Sequence, residues 1–507
     1  MSTPVMVIVA VFIVAFAAIY IWFAFFNEPK KSGFIYERNI NDKEELFSVL
    51  NNNNDGGEPL IAYANVSNKK LNDDPWRNNL PIFTVPCEER GLVLGVSRSG
   101  KTNYLLAQLI SWMRSGKSFV ASDVKPELWG ILKWNGVFEY YGYDDVVFNP
   151  TDPLSQTYNM FDDLGADADT EILELIEILI PARDAFSDSA RRILRAVMSH
   201  LRTVNGSVSL LQARNYIDEY TDVEDMMDEL LESPSDVAVT NAKAVKRSSG
   251  GDRFIASATN ALSSALQFLD NKIIAKNIDS SDFSLRERLQ QPRQAIFLQF
   301  DKKYQQTTRA LFGATLSHTL RLLEVDYANR EDVFVALDEL INAAPIPNLT
   351  KKLNVIGSSK MPLFMYVQAL DGLTEVYGDQ AANLIMSSCT LKVCYRVNDF
   401  NTAQTFSNMI GNIDVKNWSV TETPRVNEAG RSYKDTSTTE SISRRPLVEP
   451  AELYALEKNQ AIVLYQGKSA KMKMPTYYED TPAYERAKYV SPSALAAYLE
   501  NADAVEY

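Results

Sequence analysis

The chain has 507 residues, which is too long for one hydrophobic core and fits two or three domains of ordinary size. With 46% hydrophobic and 23% charged residues it has enough apolar surface to fold, which excludes a largely disordered or fibrous protein. The net charge of -14 excludes a uniformly basic surface, so any contact with nucleic acid must be local.

The first predicted element is an uncharged apolar segment, residues 5–26. At about 1.5 Å of rise per residue, it forms a helix of about 33 Å, long enough to cross a bilayer. The alternative, a signal peptide, would need a basic region before the segment and a small-residue cleavage site after it. Lys30 and Lys31 follow the segment and place the rest of the chain in the cytoplasm. We expect residues 1–30 to be a single-pass membrane anchor and residues 31–80 to be a stalk.

Beyond the stalk, short apolar runs alternate with amphipathic helices, which is typical of a parallel α/β sheet. Strands are predicted at 91–94, 119–122 and 145–148, with a helix at 102–114. A second set of strands is predicted at 295–300, 333–337, 363–368, 391–396 and 461–465.

Between the two sets of strands, residues 165–285 show helical patterns and no strand-like run. We therefore predict an all-α domain inserted into a sheet domain that consists of residues 81–164 and 286–478. A Thr- and Ser-rich stretch at 420–446 predicts an exposed loop or hairpin, and residues 479–507 form an acidic C-terminal tail.

The strongest motif is a complete GxxxxGK(S/T) sequence between a predicted strand and a predicted helix. In such a loop, glycines let backbone N–H groups surround phosphates at a helix N-terminus. Lys101 would reach the outer phosphates, and the Thr102 hydroxyl would bind Mg²⁺. The predicted nucleotide-binding residues are Gly95, Val96, Ser97, Arg98, Ser99, Gly100, Lys101 and Thr102.

The second motif is an apolar strand that ends in two carboxylates, Asp338 and Glu339. Asp338 would hold Mg²⁺ through water, and Glu339 would be the general base that orients the attacking water. ATP is preferred over GTP because the guanine pattern NKxD is missing; Asn271-Lys-Ile-Ile274 lacks the Asp. The chain has only two histidines and three scattered cysteines. These are too few to favour a zinc enzyme, a histidine-based catalytic triad or a disulfide framework.

Further segments resemble, in order, the motifs of the conjugative type IV secretion coupling proteins, the TraG/TraD-like DNA-transfer ATPases. Asp123-Val-Lys-Pro-Glu127 is similar to the family's Asp-x-Lys-Gly-Glu, with Pro126 in place of the glycine. The acidic pair described above precedes a proline-containing loop, as in the family. Tyr366-Val-Gln368 with Tyr377-Gly378 resembles the family's glutamine motif. The likeness covers about 91–478.

The resemblance implies an α/β fold, with a RecA-like P-loop motor domain built on a central, mostly parallel sheet and split by the all-α domain. It implies that Gln368 senses the γ-phosphate or positions water, and that Asp123 and Lys125 lie beside the glycine-rich loop. Family members often carry an arginine before the glutamine strand that acts on the nucleotide of a neighbouring subunit. This chain has Gly357-Ser-Ser-Lys360 there, so Lys360 or Arg396 would replace the arginine.

The expected function is a membrane-anchored ATPase that recruits relaxase-bound DNA and pumps single-stranded DNA to a type IV secretion or conjugation channel of a bacterial cell. The expected cofactors are ATP and Mg²⁺. The expected partners are DNA, relaxase, channel proteins, the membrane and further copies of the chain in a homo-hexamer. Two alternatives stay open: a double-stranded DNA translocase of the cell-division or packaging type, and a nucleotide-stabilised docking receptor with little motor activity. Basic residues of the helical domain, such as Arg191 and Lys246, either contact DNA or form solvated helix faces.

Overall fold

The computed structural model of the chain describes most of the residues that follow the predicted anchor. The described residues are 33–34, 39–52, 57–63, 82–248, 252–342, 345–346, 348–426, 432–477 and 493. The predicted anchor with Lys30 and Lys31 lies outside them, as does the predicted acidic tail apart from Ser493. Within this described part, no helix combines the length and the apolar character that a membrane crossing requires.

The strands and helices alternate as the sequence predicts. The strands are β1 (Gly33–Phe34), β2 (Asn51–Asn52), β3 (Leu60–Tyr63), β4 (Ile82–Thr84), β5 (Arg90–Leu94), β6 (Phe119–Asp123), β7 (Asp144–Phe148), β8 (Gln294–Gln299), β9 (Phe334–Leu337), β10 (Leu363–Val367), β11 (Leu391–Tyr395), β12 (Asn412–Val426), β13 (Ser432–Pro446), β14 (Gln460–Tyr465) and β15 (Lys468–Lys473). Each strand predicted from the sequence is confirmed, with ends that shift by no more than one residue.

The helices fall into three groups: one before the sheet, a long series between β7 and β8, and several that connect the later strands. They are α1 (Glu44–Phe47), α2 (Lys101–Met113), α3 (Leu128–Trp134), α4 (Val137–Tyr141), α5 (Ala168–Leu179), α6 (Ala185–Asn205), α7 (Leu210–Asp218), α8 (Val223–Leu231), α9 (Asp236–Ser248), α10 (Asp252–Ala265), α11 (Lys272–Asn277), α12 (Leu285–Gln290), α13 (Gln305–Val325), α14 (Leu349–Val355), α15 (Leu370–Tyr377), α16 (Asp379–Ser388), α17 (Phe400–Ile410) and α18 (Pro450–Tyr454).

The central sheet has the strand order β15-β14-β11-β5-β10-β9-β6-β8-β7. From β11 to β7 all neighbouring strands are parallel. Strands β14 and β15 complete the sheet in antiparallel orientation. The predicted α/β fold with a mostly parallel central sheet is therefore confirmed. Because β5, β10, β9 and β6 are neighbours and parallel, the segments that follow them meet at one edge of the sheet.

The core lies on both faces of this sheet, as strand β5 illustrates. Leu92, Val93 and Leu94 are all fully buried, although successive side chains of a strand point to opposite faces. Strands covered on both sides read as continuous apolar runs, which is the pattern found here. Gly91 faces the ring of Phe364 on β10, and a Cβ at Gly91 would lie 2.5 Å from that ring.

Between β7 and β8 the described residues form helices and no strand. The longest of these helices, α6, begins at a side-chain cap: the Asp184 carboxylate accepts hydrogen bonds from the backbone N–H groups of Phe186 and Ser187 at 2.9 Å. The next helix, α7, begins with a capping box between Ser209 and Gln212. These caps mark helix starts in the sequence, which explains why the region reads as helical. We call this region, from α5 to α12, the helical insert.

The described residues of Met1–Ile40 and Ser407–Glu449 form a compact unit of their own, and the remaining described residues form a second unit. In the first unit, β12 and β13 pair along their whole length as a long antiparallel hairpin. Strand β1 pairs with the other edge of β12 at Lys416 and Val415. The stretch at 420–446, predicted as a loop or hairpin, is therefore part of a hairpin.

Replacing Gly91 by alanine is expected to destabilise the central sheet, because the new methyl group would overlap the Phe364 ring. Overpacking of this kind costs about 1–3 kcal/mol of the free energy of unfolding, which urea denaturation measures. The double variant Gly91→Ala with Phe364→Leu makes room for the methyl group, so it should lose less stability than the sum of the two single variants. Equal stability of Gly91→Ala and the wild type would contradict the packing of β5 on β10.

Candidate active site

The glycine loop, residues 95–100, connects β5 to α2 and approaches two neighbouring segments closely. A Cβ at Gly95 would lie 2.5 Å from the Cβ of Tyr395, and a Cβ at Gly100 would lie 2.3 Å from Oδ1 of Asn459. Gly100 also has a φ of 119°, a conformation that glycine adopts at little cost. Both positions of the motif therefore require glycine for the loop to fold as it does.

Backbone hydrogen bonds hold the glycine loop in place. The N–H of Val96 donates to the carbonyl oxygen of Arg396 at 2.9 Å, and the N–H of Asn459 donates to that of Ser99 at 2.8 Å. The hydroxyl oxygen of Ser99 is buried and has no hydrogen-bond partner in the described structure. Leaving a buried hydroxyl unpaired costs free energy, so the glycine loop carries a local cost at Ser99.

Lys101 is the first residue of α2, and its ammonium group folds back over the glycine loop. Its Nζ contacts the carbonyl oxygen of Gly95 and donates to that of Val96 at 3.3 Å. Burial lowers the pKa of Lys101 to about 8, although the charges of Asp338 and Glu339 oppose this effect. The loop therefore encloses a buried cation that faces two carboxylates.

Asp338 follows β9 directly and is almost completely buried. Its backbone carbonyl oxygen accepts a hydrogen bond from Oγ of Ser122 at 3.0 Å, which ties the end of β9 to β6. Burial, together with the negative charges of Glu339 and Asp123, raises the pKa of Asp338 to about 7. The positive charges of Lys125 and Lys101 oppose this effect but do not outweigh it, so a further cation close to the carboxylate would lower its free energy.

Glu339 has a left-handed backbone, with a φ of 49°, and its carboxylate accepts from three side chains. Lys125 forms an ion pair with Oε1, and Nε2 of Gln368 donates to the same oxygen at 3.3 Å. Nδ2 of Asn342 donates to Oε2 at 2.6 Å. Burial acts to raise the pKa of Glu339, but the hydrogen bond and charge of Lys125 outweigh it and hold the pKa below its ordinary value.

The glycine loop and the two carboxylates line one cavity of about 460 Å³ at the edge of the sheet. Its walls include Val96, Ser97, Arg98, Gly100, Lys101, Thr102, Lys125, Glu127, Asp338, Glu339, Lys458 and Tyr477. The convergence of the two motifs, which are far apart in the sequence, is the geometry that the sequence predicts.

Asp123, predicted to lie beside the glycine loop, does not line the cavity. It is completely buried and caps α3, where its carboxylate accepts from the N–H groups of Glu127 and Leu128, each at 3.0 Å. Nε2 of Gln299 donates to it at 3.0 Å. Burial raises the pKa of Asp123 to about 6. These contacts give Asp123 a structural task, namely to fix the segment that carries Lys125.

Gln368, Lys360 and Arg396 also lie outside the cavity walls. Gln368 follows β10 and reaches the cavity through its hydrogen bond to Glu339. Lys360 precedes β10, at the opposite edge of the sheet, where its Nζ donates to the carbonyl oxygen of Arg330 at 3.1 Å. Arg396 follows β11, and its backbone carbonyl holds the glycine loop.

The structure adds residues that the sequence analysis did not select. The Glu127 carboxylate accepts a hydrogen bond from the Thr102 side chain, and its position after Lys125 in the Asp-x-Lys motif is a signal that was available. Asn342 lies three residues after Glu339, within reach of its carboxylate through a single turn. Lys458 comes from the segment before β14, and no local pattern in the sequence points to it.

The cavity combines a helix N-terminus, the buried cation of Lys101 and two buried carboxylates. Lys101 and the start of α2 attract an anion. Thr102 and Asp338 offer the hard oxygen atoms that a Mg²⁺-type cation prefers. Glu339 is an ionised carboxylate that can accept a proton. This arrangement suits a polyanion bound with a hard divalent cation, next to a general base.

A comparison with protein families places this site in a biological context. Residues 23–501 match the family described as Type IV secretory system Conjugative DNA transfer. The chain belongs to this conjugative DNA-transfer family. The resemblance noted in the sequence is thereby confirmed over nearly the whole chain. A comparison with curated proteins gave no match.

Solved structures of the bacterial conjugative coupling protein TrwB are similar to this member of the conjugative DNA-transfer family. The unbound monoclinic form of TrwBdeltaN70 is 17% identical, with a TM-score of 0.64, and the match covers 88% of this chain and 96% of that one. TrwB with ADP and Mg²⁺ is 18% identical, with a TM-score of 0.58, and the match covers 76% of this chain and 85% of that one. TrwB with the ATP analogue ADPNP is 17% identical, with a TM-score of 0.62, and the match covers 91% of this chain and 98% of that one. Likeness at this level of identity shows a common fold.

Asp338→Asn is expected to stabilise the ligand-free protein, because it removes a buried charge close to other carboxylates. The folded-state pKa of Asp338, about 7, lies above the ordinary value of 3.8, so ionisation costs stability as the pH rises between these two values. The gain in the free energy of unfolding should be below about 1 kcal/mol near pH 4 and reach about 4 kcal/mol at pH 8, since one pKa unit corresponds to about 1.4 kcal/mol. Urea denaturation of both proteins across this range measures it, and parallel pH profiles would contradict the description of Asp338.

Proposed function

We propose that this chain is the ATP-hydrolysing motor of a conjugative DNA-transfer system, with ATP and Mg²⁺ bound in the cavity. The observation that carries the proposal is the convergence of Lys101 with Asp338 and Glu339 on one cavity. TrwB, which has the same fold, has been solved with ADP and Mg²⁺, with ADPNP and with the GTP analogue GDPNP. We favour ATP because the chain lacks the guanine pattern NKxD.

The residues of the cavity fit a nucleotide with Mg²⁺. The N–H groups at the start of α2 and the ammonium group of Lys101 would hold the phosphates. Thr102 and Asp338 would hold Mg²⁺, Asp338 through water. Bound there, Mg²⁺ supplies positive charge that neutralises the phosphate oxygens. The raised pKa of Asp338 agrees with this role, because burial and the neighbouring carboxylates outweigh the charges of Lys125 and Lys101, and a metal ion would stabilise the ionised form.

Glu339 is the proposed general base of the hydrolysis step. Lys125 keeps the pKa of Glu339 low, so the carboxylate is ionised at neutral pH and able to accept a proton from water. Lys125 and Gln368 both hold Oε1, which fixes the orientation of the carboxylate. We propose that Gln368 positions water or responds to the γ-phosphate from its place after β10.

Hydrolysis would drive single-stranded DNA, with its bound relaxase, to a type IV secretion channel. The net charge of -14 restricts DNA contacts to local sites, such as the inside of a homo-hexameric ring. Within the helical insert Lys246 pairs with Asp228, which favours the solvated-face interpretation for this lysine. Arg191 is buried and pairs with Asp188, so it has a structural role instead.

A ring would also bring a cation of one subunit to the nucleotide of its neighbour. In a head-to-tail ring, different faces of neighbouring subunits meet. Lys360 lies at the sheet edge opposite its own cavity, which supports it as a group acting on the nucleotide of a neighbour. Arg396 is the second candidate for this role.

We place the motor at a bacterial cell membrane, held by the single apolar segment 5–26 with the bulk in the cytoplasm. The support for this location is the length of the segment and the two lysines that follow it. Relaxase, channel proteins and the membrane are thus the proposed partners beside DNA.

Two variants test the proposed chemistry. Glu339→Gln is expected to lower the ATPase kcat at least about a hundredfold, because it removes the general base. Its affinity for ATP should change little, since Gln retains the shape of the side chain. Lys101→Ala is expected to weaken both ATP binding and turnover. Steady-state ATPase assays and calorimetric ATP titration measure the two effects.

Lys458→Ala is a matched control, because this lysine lines the same cavity but has no assigned part in the chemistry. It should retain much more turnover than Lys101→Ala. Full ATPase activity in Glu339→Gln, or no binding of adenine nucleotides by the wild type, would overturn the proposal. Stronger stimulation by double-stranded than by single-stranded DNA would favour the packaging-type translocase, and slow, DNA-insensitive turnover would favour the docking receptor.

A further inference from the structure

The second oxygen of the Glu339 carboxylate, Oε2, has a donor of its own that the proposed chemistry does not use. Nδ2 of Asn342 donates to it at 2.6 Å, from a buried position. With Lys125 and Gln368 on Oε1, three donors occupy the carboxylate, which has about four acceptor positions. A general base held in this way has little room left for a water molecule.

Asn342 is itself held by a residue of another element. Nε2 of Gln305 donates to Oδ1 of Asn342 at 2.9 Å. This bond orients the Asn342 amide, because an oxygen that faces Gln305 leaves the NH₂ group to face Glu339. Two consecutive hydrogen bonds therefore connect Gln305, through the Asn342 amide, to the general base Glu339.

Gln305 is the first residue of α13, a helix of 21 residues that also contacts the helical insert. Near its other end, Nη1 of Arg321 donates to Oε2 of Glu174 on α5 at 2.8 Å, and Nε of Arg321 lies 3.6 Å from Oε1 of Glu171. At about 1.5 Å per residue, α13 extends about 30 Å from the general base into the insert. A single helix, α13, therefore contacts both Asn342 beside the general base and helix α5 of the insert.

The beginning of α13 is loosely packed against the insert. A cavity of about 690 Å³ lies there, and its wall includes Gln306 and Thr307 of α13 and Ala182 and Asn271 of the insert. Gln306 and Thr307 are exposed where this cavity opens to solvent, so these two residues of the first turn have few packing contacts with the insert. The first turn can therefore shift relative to the insert at modest cost, and such a shift would change the hydrogen bond of Gln305.

We propose that Gln305 and Asn342 are positioning residues that restrain Glu339 until the helical insert engages DNA. The proposal rests on the proposed function, since it concerns the control of the same ATPase site. When the insert moves the first turn of α13, Gln305 withdraws, the Asn342 amide is free to rotate, and Oε2 of Glu339 becomes available to water. Hydrolysis thereby depends on DNA through contacts that are distant from the nucleotide.

The test compares variants of the full chain in an ATPase assay with and without single-stranded DNA. Gln305→Glu cannot donate to Asn342, and it preserves the start of α13 because carboxylates are favoured in the first turn of a helix. The DNA-independent kcat should rise about fivefold, the ratio that the loss of one neutral hydrogen bond corresponds to. Stimulation by DNA should fall by the same factor, while the KM for ATP stays unchanged. Asn342→Ala should give the same pattern.

Gln306→Glu is the matched control, since it introduces the same charge one residue later, at an exposed side chain. Gln305→Lys keeps a donor at position 305 and should retain the wild-type stimulation ratio. The proposal is overturned if Gln305→Glu and Asn342→Ala leave the DNA-independent rate and the stimulation ratio at wild-type values, or lower both rates equally.

Assays of the wild type distinguish a failure of the proposed ATPase function from a failure of the proposed roles of Gln305 and Asn342. If it hydrolyses no ATP, the proposed function fails, and the restraint on Glu339 fails with it. If it hydrolyses ATP and responds to DNA while all variants behave alike, only the roles of Gln305 and Asn342 fail.

Discussion

The parallel register of β5, β10, β9 and β6 is the constraint on which the site depends. Each of these strands ends at the same edge of the sheet, so the short segments after them are neighbours although they are far apart in the sequence. The glycine loop, Gln368, the acidic pair and the Lys125 segment each follow one of these strands. A strand that slipped by one residue would turn these side chains to the wrong face and separate the groups.

Opposite charges in the cavity are balanced unevenly. Glu339 has a lysine partner and stays ionised, whereas Asp338 is buried beside further carboxylates and has a raised pKa. Lys101, in turn, has a lowered pKa and rests on backbone carbonyls. Such mismatches reduce the stability of the ligand-free protein, and binding sites commonly carry them because the ligand supplies the missing partners. The site is thus assembled in advance for a bound anion and cation.

The sequence predicts the strands well because buried parallel strands are continuous apolar runs with clear ends. It predicts the glycine loop and the acidic pair because their chemistry requires fixed residue types at fixed spacing. It does not predict that Asp123 caps α3, since the sequence around a carboxylate at the end of a strand is the same whether the side chain faces a ligand or a helix. Gln305 and Asn342 are missed for a related reason: their contact joins two elements through neutral amides, which leave no pattern in the sequence. The antiparallel pairing of β14 with β11 is likewise a tertiary property.

The pairing of β1 with β12 has a geometric consequence for the long hairpin. Gly33 lies seven positions after Phe26 in the sequence, and a fully extended chain spans about 25 Å over that distance. Because β1 is antiparallel to β12, Gly33 lies nearer than Phe34 to the hairpin tip. With the proposed anchor at residues 5–26, β1 can lie no more than about 25 Å from the end of the anchor, so the base of the hairpin would stay close to the lipid headgroups.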